Sequence, residues 1–197
     1  MKKWIIGIIV IVIIAIGGSY LYMNRTSSAV SSFKSFIGNI NKYSLNGAES
    51  YTSQNGDLTK LFTQIQGYDN TRQDAMKEWF KEVRVTINGT KKEDGDTIIE
   101  ATVYSLNGNE IENSFQNGVN GLGINSQTIQ DSNLNGNYLS AQYSNAFANA
   151  IGSNITNVIG TNVEVKMKRE SGNWIIQNDD EVIKAILGGV NSTEILN

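Results

Sequence analysis

Trp4 to Ile16, WIIGIIVIVIIAI, is a run of thirteen residues without a charged side chain, set directly after Lys2 and Lys3 in a chain of 197 residues. A segment this uniformly apolar has no polar stripe to turn toward water, so it does not fit the surface helix of a soluble domain. The apolar character continues past Gly17, Gly18 and Ser19 into Tyr20, Leu21, Tyr22 and Met23, and Asn24 and Arg25 end it. Twenty residues at ~1.5 Å each span ~30 Å, one hydrocarbon core. The expectation is a transmembrane helix with Trp4 and Ile5 at one interface, Ile16 within the bilayer, and Tyr20, Tyr22 and Met23 at the other, since aromatic residues favour both interfaces. Lys2 and Lys3 keep the N-terminus cytoplasmic by the positive-inside bias, which puts the rest of the chain outside the cell. The competing reading is a signal peptide cut near Gly17, because Ala15-Ile16-Gly17 is a small-x-small triplet after an apolar stretch, and the product would then be secreted. The chain divides accordingly into an anchor over 1–25, an extracytoplasmic domain over 26–189 and a flexible tail over 190–197.

Composition narrows the chemistry. The net charge is −3 with acids and bases interspersed, which lacks the basic face that nucleic-acid binding needs to neutralise phosphates. There is no Cys, so neither a disulfide nor a thiolate nucleophile exists, and a lipid-bearing cysteine at the end of the signal is excluded. With no His either, the usual triads, zinc sites and neutral-pH proton shuttles lose their commonest member. Asn-Gly recurs at Asn46-Gly47, Asn55-Gly56, Asn88-Gly89, Asn107-Gly108, Asn117-Gly118, Asn120-Gly121 and Asn135-Gly136. These pairs are expected at turns and helix ends that require positive φ.

Beyond the anchor, Val30, Phe33, Phe36, Ile37 and Ile40 follow helical spacing behind the capping candidates Thr26, Ser27 and Ser28, which predicts a helix over 27–42. Two shorter amphipathic pieces follow: Leu58, Leu61, Phe62 and Ile65 behind an Asp57 cap, and Ala75, Trp79 and Phe80 behind Thr71. Val83, Val85 and Ile87 then alternate with polar residues, Asp94-Gly95 supplies a turn, and Ile99, Ala101 and Val103 alternate again, so a hairpin is expected. The polar, Gly-rich stretch from Asn107 to Asn137 reads as loop, with short strands at 111–115 and 124–129. Leu139, Tyr143, Phe147, Ile151 and Ile155 are spaced four apart and predict a helix over 138–158 stopped at Gly160. Val163, Val165 and Met167, the turn Glu170-Ser171-Gly172-Asn173, and Trp174 with Ile176 make a second hairpin. A last helix is expected from Asp179 to Leu187, ended by Gly188-Gly189.

This order belongs to an α+β fold with helices on one face of an antiparallel sheet. The closing block NVEVKMKRESGNWIIQNDD, Asn162 to Asp180, resembles the last hairpin of nuclear-transport-factor-two-like (cystatin-like) domains in small extracytoplasmic Gram-positive proteins, many of them membrane-anchored or lipoproteins. The resemblance implies a cone-shaped domain over Ser27 to Gly189, with helices packed on a curved antiparallel sheet. The chain departs from that pattern in its Asn-rich middle and in lacking a lipid-accepting Cys.

Such folds leave a pocket between sheet and helices, and some relatives are isomerases or dehydratases with Asp, His or Tyr in it. Tyr43, Tyr51, Asp57, Tyr68, Asp69 and Tyr104 are the candidate occupants here. The tuned base and oxyanion donor that such chemistry needs are not evident, so half-buried packing tyrosines are the expectation, with no catalytic residue, cofactor or metal. Asp94 and Asp96, and Asp179, Asp180 and Glu181, lack the alternating spacing of a calcium loop and fit turn and helix-start positions. Lys91 and Lys92, and Lys166, Lys168 and Arg169, fit solvated strand edges. The function expected is noncatalytic binding or scaffolding at the bacterial envelope, with another envelope protein or a second copy as partner. A scaffold subunit of a type IV secretion or conjugation machine, similar in its short tail, single helix and cone domain, and a small pocket enzyme are the alternatives.

Overall fold

The computed structural model describes residues 27–122 and 136–191. The anchor expected over 1–25, the strand expected at 124–129 and most of the C-terminal tail lie outside the described residues. Among the described residues, no helix is long and apolar enough to cross a membrane.

The first helix, α1, covers residues 27–41 and sets Phe33, Phe36, Ile37 and Ile40 on one buried face, as the spacing predicts. Three more helices follow: α2 (Leu45–Glu49), α3 (Asp57–Gln66) and α4 (Asn70–Lys81). The N-cap of α3 is Gly56 rather than Asp57, which lies in the first turn. Asp69 caps α4, and its side chain accepts the N–H of Arg72. Strands β1 (Arg84–Glu93) and β2 (Asp96–Leu106) form the first hairpin. Its two-residue turn places Asp94 at φ 50° and Gly95 at φ 88°, the left-handed pair that matches strand twist.

The segment after β2 corrects the expectation of a loop with a strand at 111–115. It is a helix, α5 (Gly108–Gly121), with Ile111 and Phe115 buried. Helix α6 (Gly136–Ser153) runs beside it, Phe115 packing edge-on against Tyr143 and Phe147. Helix α6 stops at Ser153 rather than near Val158, so Ile155 is exposed and Gly160 is no terminator but a residue of β3 (Val158–Glu170). After β4 (Asn173–Ile176), α7 (Asp179–Ile186) ends where Gly188 and Gly189 take positive φ.

The four strands form one antiparallel sheet in the order β1-β2-β3-β4. Ile99, Ala101, Val103, Val165, Met167, Trp174 and Ile176 face the helices and join one core with Phe33, Phe36, Phe62, Trp79 and Phe80. Among the described residues, the opposite face carries the exposed Glu100, Tyr104, Asn162 and Glu164. At the centre of the core, Ser105 Oγ accepts a hydrogen bond from Trp79 Nε1 (2.9 Å) and donates to the carbonyl of Ile186 (2.7 Å), with Ser105 and Trp79 wholly buried.

None of the described Asn-Gly glycines has positive φ, contrary to the expectation. Several are there for space. A Cβ on Gly108 would lie 2.1 Å from the carbonyl oxygen of Leu187.

Replacing Ser105 by Ala would leave the Trp79 indole N–H and the Ile186 carbonyl unpaired in a dry core. A loss of about 2–3 kcal/mol is expected, measured as a lower urea midpoint with an unchanged m-value.

Candidate functional site

The candidate residues are spread over three places. Tyr43 and Tyr68 come together at a seam between helices. Tyr43 lies in the turn just past α1 at φ 55° and leans its ring on Phe80, and its hydroxyl is buried with no partner among the described residues. Burial, and the charge of Asp74, push that hydroxyl above its ordinary pKa. Burial likewise pushes Tyr68 up to about 12, against the pull of Arg72, whose guanidinium lies 4.5 Å from the ring centre. Asp69 closes the seam, its Oδ2 accepting Arg72 Nε (2.8 Å) and Ser144 Oγ (2.6 Å). Burial raises the pKa of Asp69, but the bonds from Ser144 and Arg72 outweigh it and hold the acid at about 2. This cluster fastens α6 to the start of α4 with its carboxylate fully engaged, which is the chemistry of a joint.

Asp57 and Tyr51 lie elsewhere. Asp57 is exposed in the first turn of α3 and pairs with Lys60 at 2.6 Å. Its neighbour Asp179, at the start of α7, accepts the N–H of Leu58 (3.1 Å), and burial raises the pKa of that carboxyl. Gly56 permits this approach, since a Cβ there would lie 2.2 Å from Asp179 Oδ2. Tyr51 is half-buried, and its carbonyl accepts the N–H of Ile176 just beyond the sheet. Among the described residues no three acidic side chains converge as a metal ion would need.

Tyr104 is on the opposite side of the molecule. It stands on the uncovered face of the sheet at 38% exposure, beside Gly160, where a Cβ would come within 3.2 Å of the ring. This bare face is ordered by cross-strand rows. Asn88 Nδ2 donates to Thr102 Oγ1 (2.9 Å), which donates to Asn162 Oδ1 (2.8 Å), so one row crosses three strands. In a second row, Lys91 pairs with Glu164 at 2.8 Å and lies 3.8 Å from Glu100. Lys166 pairs with Asp96 at 3.3 Å. Lys168 stands where β4 covers β3, which corrects the expectation of an edge there, whereas Lys166 lies just beyond the end of β4; Lys91 and Lys92 are on a true edge strand.

The face runs into a groove of about 670 Å³ lined by Thr161, Asn162, Glu164 and Lys166 of β3 and by Glu181 and Lys184 of α7. The periodicity of single segments carried no sign of this surface. Alternation along each strand announces which residues point outward, but the rows depend on which outward residues sit opposite one another, which register alone decides.

No protein-family model matches the chain, and no curated protein and no solved structure does either, so the reading of this surface rests on its own geometry.

The Asp69 joint has a pH signature. Its folded pKa of about 2 lies below the ordinary 3.8, so its stabilisation is present above about pH 4 and is lost as pH falls toward 2. Asp69→Asn is expected to be less stable at pH 7 by about 1 kcal/mol, allowing for screening of a partly exposed side chain. Denaturation midpoints of parent and variant are expected to converge between about pH 4 and pH 2.

Proposed function

We propose that this chain is a noncatalytic binding or scaffolding module of the bacterial cell envelope, carried outside the cytoplasm on a single membrane helix formed by residues 1–25. The sequence supports the anchor through the run from Trp4 to Met23 behind Lys2 and Lys3. The domain that follows has its own core, as a module held at the end of a tether requires.

The observation that carries the binding role is the sheet's one-sidedness. Helices cover one face, and the other keeps its side chains in hydrogen-bonded and ion-paired rows on a rigid backbone. Side chains already held in place lose little entropy on contact, which favours recognition of another polar surface. The scattering of Tyr43, Tyr51, Asp57, Tyr68 and Tyr104 over separate regions supports binding over pocket chemistry, because a general acid or base acts only within reach of a shared substrate. A curved sheet, as in the cone-shaped domains that the closing hairpin resembles, is supported by two features. The register shifts between Ile87 and Gly89, a bulge that adds local twist, and Lys92 of β1 reaches within 5.9 Å of the Trp174 ring on β4.

Fractionation tests the reading. The full-length chain is expected in the membrane pellet, resistant to alkaline carbonate and released by detergent, and protease added to intact cells is expected to degrade the domain. Recovery in the soluble fraction with the first residues still attached, or protection of the domain in intact cells, would overturn it.

A further inference from the structure

Among the described residues, one edge of the sheet keeps main-chain groups without a backbone partner. Edge strands template pairing with other chains unless they are short, bulged or charged. Strand β1 carries a bulge at Ile87/Gly89 together with Lys91 and Lys92, and β4 is only four residues long. Because β4 is short, it pairs with β3 only from Met167 to Glu170. Beyond it, Gln177 N donates to the Lys166 carbonyl, and the Asn178 side chain imitates one more ladder step by accepting Lys166 N (2.8 Å) and donating to the Glu164 carbonyl (2.6 Å). These bonds show that even-numbered residues of β3 aim their main-chain groups away from β2. The N–H and C=O of Gly160 and Asn162 therefore point outward, with no backbone partner among the described residues. From Val158 to Val163 the strand has no charge, no proline and no bulge.

From this geometry we infer that the open edge of β3 is a homodimer interface, on which a second copy adds its own β3 antiparallel and joins two four-stranded sheets into one. The inference deepens the scaffolding reading and rests on it. The stretch is self-complementary: a two-fold axis near Thr161 sets Gly160 opposite Asn162 of the other copy, so outward-pointing groups meet as a hydrogen-bonded pair on both sides of the axis. Charge argues for the same occupant. Helix α7 runs along this edge, from Asn178 beside Glu164 to Gly189, where a Cβ would lie 3.7 Å from Ile159. Glu181 and Lys184 are thereby set in the groove beside Thr161 and Asn162. Both are exposed and have no ion-pair partner among the described residues. Reversing α7 about the same axis brings Glu181 of each copy toward Lys184 of the other.

The absence of native cysteine makes the test direct. At the axis Thr161 would face its copy as a non-hydrogen-bonded pair with Cα atoms ~4.5 Å apart, within disulfide range. Full-length Thr161→Cys, oxidised in native membranes and again in detergent, is expected to run mainly as a disulfide-linked dimer. Val85→Cys, on the guarded edge, is expected to stay monomeric. In the cysteine-free chain, Glu181→Lys and Lys184→Glu are each expected to weaken dimerisation in detergent roughly tenfold, and the double swap is expected to restore it. The inference is overturned if Thr161→Cys crosslinks no better than Val85→Cys, if its adduct has the mass of a different protein, or if a dimer forms only after residues 192–197 are deleted, which would make the chain's own tail the occupant. A variant that reaches the membrane but stays monomeric refutes the interface and leaves the anchor standing.

Discussion

A single buried hydroxyl fixes how the layers of this domain meet. Ser105 lies on the helix-facing side of β2, takes the indole proton of Trp79 from α4 and gives its own proton to the Ile186 carbonyl in α7. Apolar contact alone is permissive about angle and sliding, whereas a dry polar group must find its partners in one geometry. The indole, the hydroxyl and the carbonyl are satisfied together only when both helices sit at one height on the sheet. Close approaches downstream then follow: Gly188 passes the Leu106 carbonyl, where a Cβ would lie 1.7 Å away, and Gly108 fits beneath Leu187. Trp174 Nε1, bonded to Ser28 Oγ at 2.8 Å, ties the first helix to the far strand in the same manner.

With the helices committed to one face, the other must be tolerable in water, and β2 shows how this is met. Thr97, Ile99, Ala101, Val103 and Ser105 point inward, while Glu100, Thr102 and Tyr104 point outward, the first two into rows with Asn88, Lys91, Asn162 and Glu164. An exposed ion pair contributes little stability alone. What the rows supply is fixed position, since Thr102 is held by Asn88 and Asn162 and Lys91 by Glu164 across the ladder. The edges of the same sheet are managed unequally. The bulge and lysines of β1 and the shortness of β4 are recognised defences, and the stretch from Val158 to Val163 has none of them.

Much of this architecture was legible in the sequence where a local rule and the tertiary environment agree. Both hairpins were readable because alternation and a two-residue turn are local signals, and Asp94-Gly95 and Ser171-Gly172 take the positive φ values those turns demand. The helix bearing Phe33, Phe36 and Ile40 was readable for the same reason. Helix α5 was hidden, since GNEIENSFQNGVNG contains three glycines and four asparagines, and each lowers helix propensity. Packing overrides that cost: Ile111 and Phe115 enter the core, and Gly118 lets Ala146 of α6 come within 3.4 Å of where a Cβ would be. The Asn-Gly pairs misled for a related reason, because glycine serves close approach as well as left-handed backbone. The candidate residues were read as occupants of one pocket between sheet and helices, and nothing in their spacing shows that Tyr43 and Tyr68 meet between helices or brings Arg72, Asp69 and Ser144 to them. That joint spans 75 residues of sequence, beyond any local period.

The proposed anchor and the proposed dimer edge also constrain each other. The chain enters the domain at α1, whose Ser28 is bonded to Trp174 on the helix-facing side of the sheet. Trp174 pairs with Arg169, eight residues along β3 from Thr161, which at ~3.3 Å per residue is ~26 Å. An antiparallel edge-to-edge pair has its two-fold axis normal to the sheet, so the two entry points would lie far apart at opposite ends of the joined strands, yet both on the helix side. Two tethers from one side can reach one bilayer only if the axis stands along the membrane normal. The helices would then face the lipid, and the uncovered rows of Asn88, Thr102 and Asn162 would face away from it. A parallel pairing would put its axis within the sheet, and one copy's rows would turn toward the membrane. In such a tethered pair the direction in which β3 pairs would decide which face is presented, and the antiparallel register allowed by Gly160 and Asn162 would leave both polar faces accessible.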